Sequence, residues 1–221
     1  MSKWKLLATA LGIYLVHMFA GQNNAFAQIG VNAPVSWGSA PIYAFVGSSG
    51  GITKAVLQNI WTGECSFYHI GTASGLDNNY NIVGGGSGDF MVVVGGYTTS
   101  VNICGVNITS LLFNGHSCDV YGFGGADFIA TGAGLSFGFG GEGDDIMLAF
   151  SGAGFLTGQN GNDRIFGSSA VTNDMIFGEE GNDCLTDPGN AHRFFDCGNG
   201  SDRFVSPASG ANSCETPVTS C

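Results

Sequence analysis

The sequence predicts an all-β chain whose second half forms a right-handed parallel β-roll, a kind of β-helix solenoid, with short strands between glycine–aspartate turns. Three observations carry this. Glycine supplies 38 of 221 residues, yet apolar residues still reach 44 % and recur at fixed distances from the glycines, which is punctuation and not disordered filler. A polar residue closes each glycine-rich turn at Asp89, Asn107, Asp127, Asp145, Asp163, Asp183 and Asp202, at intervals of 18, 20, 18, 18, 20 and 19 residues. Two residues further on stand Met91, Thr109, Ile129, Met147, Ile165, Leu185 and Phe204, six of seven apolar, as a core column requires.

The copies differ in quality. The best read GGEGDDIML from residue 140, GQNGNDRIF from 158, GEEGNDCLT from 178 and CGNGSDRFV from 197. Weaker copies are GFGGADFIA from 122 and GGGSGDFMV from 84, and the copy around Asn107 is the poorest. In each unit of nine, six residues are expected to make a tight turn and three a short strand whose inward residue is the eighth. Glycines such as Gly140, Gly141, Gly143, Gly158, Gly161, Gly178, Gly181, Gly198 and Gly200 stand where the backbone takes positive φ or crowds the turn above. The half-turns between the good copies, near Ser136, Gly154 and His192, are degenerate, and only Asn173-Asp174 among them looks like a turn aspartate. One edge of the roll is therefore expected to carry the polar turns and the other not.

These units fit the pattern G-G-x-G-x-D-x-U-x, where U is a large aliphatic residue, and the chain resembles the haemolysin-type calcium-binding repeats of the repeats-in-toxin (RTX) family. The match is specific over residues 122 to 205, faint over 84 to 121, and silent on 28 to 75. The physics of the spacing points the same way. Residues one coil apart stack at roughly 4.8 Å, so the sixth-position aspartates form a file of like charges that repel by about 1 kcal/mol per pair in water and more when partly buried. Ca2+, a hard ion taking six to eight oxygens, suits a file of carboxylates beside exposed glycine carbonyls. Binding and folding are then expected to be one event. Asp145, Asp163, Asp183 and Asp202 are the strongest candidate ligands, with Asp127 and Asp89 behind them. Five turns leave four intervals, hence about four ions.

Residues 1 to 27 read as a secretory signal: Lys3 and Lys5, an apolar run from 6 to 19, and Ala25-Phe26-Ala27 before Gln28. The apolar run is shorter than a bilayer span and contains His17. Beyond the signal, the cations are Lys54, Arg164, Arg193 and Arg203 against 17 acidic residues, which disfavours nucleic acid and anionic membranes as partners. Seven cysteines in an exported chain read as disulfides, with Cys104–Cys118, Cys184–Cys197 and Cys214–Cys221 expected from spacing and Cys65 left over, free or bonded to a partner. The short C-x-x-C spacings of zinc sites are absent.

Catalytic signals are weak. Gly47-Ser48-Ser49-Gly50-Gly51 satisfies G-x-S-x-G, but that motif needs a strand, a sharp turn and a helix, and only residues 54 to 61 look helical nearby. His69, His116 and His192 have no second histidine at metal-binding spacing. Asp144-Asp145 and Glu179-Glu180 could suggest glycosidase chemistry but fall inside the turns. An ice-binding face is disfavoured because the outward turn positions carry no threonine file. The expected organisation is a signal over 1–27, a β-rich cap or small module over 28–75, degenerate roll turns over 76–121, the calcium-bearing roll over 122–205 and a C-terminal cap over 206–221. The expected role is that of an exported calcium-binding structural or adhesive protein, with no catalytic residues, secreted to the cell exterior or periplasm, whose surface, polysaccharide or protein partner the sequence does not name. A small secreted hydrolase is the alternative. RTX proteins usually leave the cell by a C-terminal signal, so the N-terminal one here points to the general secretory route.

Overall fold

A computed structural model describes residues 31–32, 40–77, 79–94, 100–109, 116–132, 136–149, 154–168, 174–188, 194–205 and 211–221. The expected signal segment, Asn173, His192 and Arg193 lie outside the described residues. The chain is an all-β solenoid of parallel stacked coils, and no helix occurs among the described residues. Each coil contributes one strand to each of two sheets. The first sheet stacks Tyr80–Val83, Cys118–Gly124, Ser136–Glu142, Gly154–Asn160, Met175–Glu180 and Phe194–Asn199, all parallel. The second stacks Phe90–Val93, Phe128–Thr131, Ile146–Ala149, Arg164–Phe166, Cys184–Thr186 and Arg203–Val205 in the same way.

Alternation along these strands puts one apolar residue per strand into a column between the sheets. From the second sheet come Met91, Ile129, Met147, Ile165 and Leu185, all fully buried, with Phe204 packed against them. From the first come Ile82, Val120, Leu156, Ile176 and Phe195, each no more than 1 % exposed. Every glycine–aspartate turn links a first-sheet strand to the next second-sheet strand, so all the turns share one edge. The turn is shorter than six residues. Positions one to three still belong to the first-sheet strand, where Gly141 pairs with Gln159 and Glu142 with Asn160, which leaves a corner of three residues.

Two expectations fail in the first half. Asn107 and Thr109 do not form a rung. The coil of Asp89 is followed directly by that of Asp127, with Met91 registered on Ile129. Between them Val101–Ile103 and Val106–Ile108 form an antiparallel hairpin in which Asn107 and Thr109 are exposed. The hairpin packs Ile103 and Ile108 onto Phe45 and Val94, making a second small core outside the solenoid. The helix-like stretch at 54–61 is strand instead. Ile42–Ser49, Ile52–Asn59 and Cys65–Thr72 form an antiparallel meander, and the first of these pairs parallel with Phe90–Val93, which covers the end of the second sheet. Helix propensity in this short stretch is overridden because Ala55, Val56 and Leu57 bury fully on both faces of the meander.

The disulfides are Cys65–Cys104, Cys184–Cys221 and Cys197–Cys214, and Cys118 is the free, buried cysteine. The nearest-in-sequence pairing is wrong because a coil of about 18 residues brings together residues of successive coils, as the separation of 17 in Cys197–Cys214 shows. All three bonds sit at the ends. One ties the meander to the hairpin. Two hold the last segment, in which Ala211–Asn212 adds to the first sheet and Thr216–Pro217 to the second. That segment is largely exposed, so covalent closure does what apolar burial does elsewhere. Replacing Cys197 and Cys214 by serine is expected to cost about 3 kcal/mol and to open the last 11 residues to protease. Unchanged melting and proteolysis would show that the segment holds without its staple.

Candidate metal centre

At each corner the chain turns away from both sheets, and its backbone N–H groups lose their ladder partners. Buried donors must find others. The fourth-position N–H still reaches a backbone oxygen of the next coil: Gly125, Gly143, Gly161 and Gly181 donate to the carbonyls of Glu142, Asn160, Glu180 and Asn199 at 2.8–2.9 Å. The sixth-position N–H is served by a side chain. Asp89 N–H donates to Asp127 Oδ1 at 2.6 Å, and Asp127, Asp145, Asp163 and Asp183 donate to the Oδ1 of Asp145, Asp163, Asp183 and Asp202, each at 2.8 Å. The file is extended at both ends, by Ile42 N–H on Asp89 Oδ1 and by Asp202 N–H on Glu215 Oε2, again at 2.8 Å. All six aspartates are buried, none more than 3 % exposed.

The fifth position makes a second, exposed file with the opposite polarity. Asn162 N–H donates to Asp144 Oδ1, Asn182 N–H to Asn162 Oδ1 and Ser201 N–H to Asn182 Oδ1, at 2.8–3.0 Å. Side chains thus replace the β-ladder through the bend.

The glycines are explained by what lies against them. A Cβ on Gly122, Gly140, Gly158 or Gly178 would collide with Oδ2 of its own aspartate, Asp127, Asp145, Asp163 or Asp183. The first-position glycine is therefore the cradle into which the carboxylate folds. At the fourth position, Gly143, Gly161, Gly181 and Gly200 take φ of 126° to 150°, and a Cβ there would strike the carbonyl of the equivalent glycine one coil back. The second position is left-handed in every good turn, whether glycine or not: Phe123 at 74°, Gln159 at 76° and Glu179 at 80°, beside Gly141 and Gly198. For the non-glycine residues this conformation costs roughly 1–3 kcal/mol each. The stacked corners impose it.

Asp89 uses both oxygens, the second accepting from Gly85 N–H at 2.7 Å, whereas the next four employ only one. Oδ2 of Asp127, Asp145, Asp163 and Asp183 is buried without a hydrogen-bond partner. Burial, with the neighbouring aspartates adding to it, pushes the carboxyls up to about 8 for Asp127, 6 for Asp145, 8 for Asp163 and 7 for Asp183, against an ordinary 3.8. The N–H donated to each opposes this only in part, and among the described residues no lysine or arginine figures among the causes for any of the four. Asp89 is raised by the same cause. Beside the Oδ2 of Asp145 the cradle of Gly140 also faces the carbonyl oxygen of Gly158, and the Gly122 and Gly178 cradles face those of Gly140 and Cys197. A donor set of carboxylate and carbonyl oxygens with surplus negative charge fits a hard cation of the calcium class. No group of three or more acidic, histidine or cysteine side chains converges among the described residues. Any such ion would draw carboxylates from successive coils and complete its shell with main-chain oxygens.

The structure thus gathers Asp127, Asp145, Asp163, Asp183 and Asp202 into one line, with Gly140, Gly141, Gly143, Gly158, Gly161, Gly178, Gly181, Gly198 and Gly200 in the same corners. Sequence reasoning missed Glu215, which continues the file from a segment with no glycine turn; its only signal is its place 13 residues after Asp202. Gly47-Ser48-Ser49-Gly50-Gly51 is not a nucleophile elbow. Gly50 and Gly51, with φ of 60° and 77°, turn the hairpin between two antiparallel strands. His69 shares a hydrogen bond with the carbonyl of Gly71. Compared with family models, curated proteins and solved structures, the chain matches none.

A raised carboxyl pKa in the folded state means that the protonated form favours the fold, fully so below the unfolded value and progressively less as pH rises through the folded one. In chelator, the melting temperature is therefore expected to be highest near the ordinary carboxyl value of 3.8 and to fall as pH passes through about 6 to 8. A melting temperature that rises over that range would contradict the burial of uncompensated carboxylates.

Proposed function

We propose that this chain is an exported, calcium-stabilised solenoid protein with a structural or adhesive role, its ions held along the aspartate file. The observation that carries the reading is the row of four buried Oδ2 atoms that, among the described residues, have neither a hydrogen-bond donor nor a compensating cation. Such a row is stable when protonated or when a cation lies against it. At neutral pH calcium is the better answer, because the surrounding donors are all oxygen. Asp127, Asp145, Asp163, Asp183 and Asp202 would hold the ions with glycine carbonyls, about four ions for the four intervals between these five corners. The bound ion supplies positive charge that neutralises the file. The chain's own part is to fix each carboxylate by an N–H from the coil before it and to exclude water from the line.

Two further features support the reading. The turns resemble the haemolysin-type calcium-binding repeats over residues 122 to 205. The three disulfides, with the signal-like segment 1–27, suit an oxidising compartment outside the cytoplasm. A formal net charge of -11 disfavours nucleic acid as a partner.

The test is far-UV circular dichroism and calorimetric titration of the mature chain with calcium and with chelator. Calcium is expected to raise the melting temperature and to bind at about four sites. No heat of binding, with identical melting in chelator, would overturn the proposal. Asp163→Asn separates charge from hydrogen bonding, because the amide keeps an acceptor for the N–H of Asp145. It is expected to stabilise the chelated protein by about 1–2 kcal/mol and to weaken its response to calcium. Equal destabilisation with and without calcium would mean that the carboxylate's charge plays no part.

A further inference from the structure

The aspartates of the file are not all held alike. At Asp127, Asp145, Asp163 and Asp183, Oδ2 lies buried without a hydrogen-bond partner. At Asp89 main-chain donors take both oxygens, Ile42 N–H at 2.8 Å on Oδ1 and Gly85 N–H at 2.7 Å on Oδ2. The cradle is the same, since a Cβ on Gly84 would meet Asp89 Oδ2 and the carbonyl oxygen of Gly122. The path of the chain around it differs. In the four corners with an unpartnered Oδ2 the second residues, Phe123, Gly141, Gln159 and Glu179, are left-handed, and the fourth, Gly125, Gly143, Gly161 and Gly181, have φ of 104° to 150°. Neither Gly85 nor Ser87, which stand in those places before Asp89, takes a positive φ. In this corner the second-position N–H points at the carboxylate, and two main-chain N–H groups support its charge in place of a cation.

The packing around Asp89 differs as well. Ile42, whose N–H holds it, begins the first strand of the meander. That meander buries Ala44, Val46, Ala55, Leu57, Ile70 and Leu76 to 2 % exposure or less, and the hairpin core lies on its outer side, tied by Cys65–Cys104. A later coil has less to draw on. The one from Gly154 to Phe166 gives Leu156 and Ile165 to the core and sinks the Asp163 carboxylate with an unpartnered oxygen. The cost of such a buried charge offsets much of what two aliphatic side chains gain. At the far end, residues 211–221 are largely exposed and add two residues to each sheet, so they bring no comparable core.

Resting on the calcium reading proposed above, we infer that the file has two kinds of corner: the corner of Asp89 is closed by protein donors and holds no ion, and with the meander it forms a platform that is ordered without calcium. The coils from Asp127 onward assemble on this platform as ions bind. The platform offers Phe90–Val93, paired on one side with Ile42–Ser49, and its other side receives Phe128–Thr131 in register. It also offers the N–H of Asp89, which Asp127 Oδ1 accepts. Each added coil presents the same strand and the same N–H to the next, so order spreads from the N-terminal end towards Asp202. The sequence marks the different corner at Ser87, in the fourth place, where the corners from Gly125 to Gly200 have glycine.

The experiment is hydrogen exchange of the mature chain, read by mass spectrometry with calcium and with chelator at about pH 9, above the raised carboxyl values. Ile42–Ser49, Ile52–Asn59 and Phe90–Val93 are expected to exchange equally slowly in both conditions. Gly154–Asn160, Met175–Glu180 and Cys184–Thr186 are expected to exchange about tenfold faster or more in chelator. Asp89→Asn keeps one acceptor and turns an amide NH2 towards the other donor. It is expected to speed exchange at Phe90–Val93 by the same factor in both conditions and to leave the number of calcium ions bound, measured by calorimetric titration, unchanged. Loss of one ion in this variant makes Asp89 a ligand and overturns the inference. If calcium binds and all segments gain protection together, the inference falls while the calcium-held solenoid stands. If no calcium binds and no segment responds, both fall. Should the variant not fold, the wild-type exchange decides alone.

Discussion

A corner N–H needs an acceptor, and in this solenoid a carboxylate one coil further on supplies it. The bend from the first sheet to the second breaks the β-ladder for three residues, and a buried amide without a partner costs roughly as much as a lost hydrogen bond. Aspartate is long enough to reach the amide of the coil before it when its own side chain folds back over a residue without a Cβ. The first-position glycine follows from that, and the fourth-position glycine follows from stacking corner on corner. Repeating the solution from Asp89 to Asp202 makes a line of six buried acids.

The same solution creates the problem that defines the chemistry. An amide acceptor would satisfy the N–H without charge, and the exposed fifth position does use Asn162 and Asn182 in this way. The buried position uses aspartate in every coil, although burial pushes its carboxyl well above the ordinary range. A structural acceptor alone does not call for that choice. On the proposed reading, a line of carboxylates that stores negative charge until a cation or protons neutralise it does, and it would couple the order of the coils to what the line holds.

How much of this was legible depends on whether a feature repeats. The aspartate file and the Met91, Ile129, Met147, Ile165 and Leu185 column repeat at the coil period, so spacing alone places them on one edge and in one core. The ends do not repeat. Asn107 imitates a rung because its distance from Asp89 happens to equal one coil, yet the chain spends those residues on a hairpin outside the stack. Glu215 acts as the next member of the file from a segment without the glycine-rich turn motif, and the cysteines pair across coils and not along the chain. The left-handed φ of Gln159 and Glu179 was likewise hidden, since neither residue prefers it and the stacked corners enforce it.

Carbon-13 NMR of the aspartate side-chain carboxyls, followed against pH with and without calcium, tests the central claim most directly. In chelator, Asp127, Asp163 and Asp183 are expected to titrate at about 8, 8 and 7, and calcium is expected to hold them ionised to well below those values. Titration of all three near the ordinary 3.8 in chelator, unchanged by calcium, would contradict it.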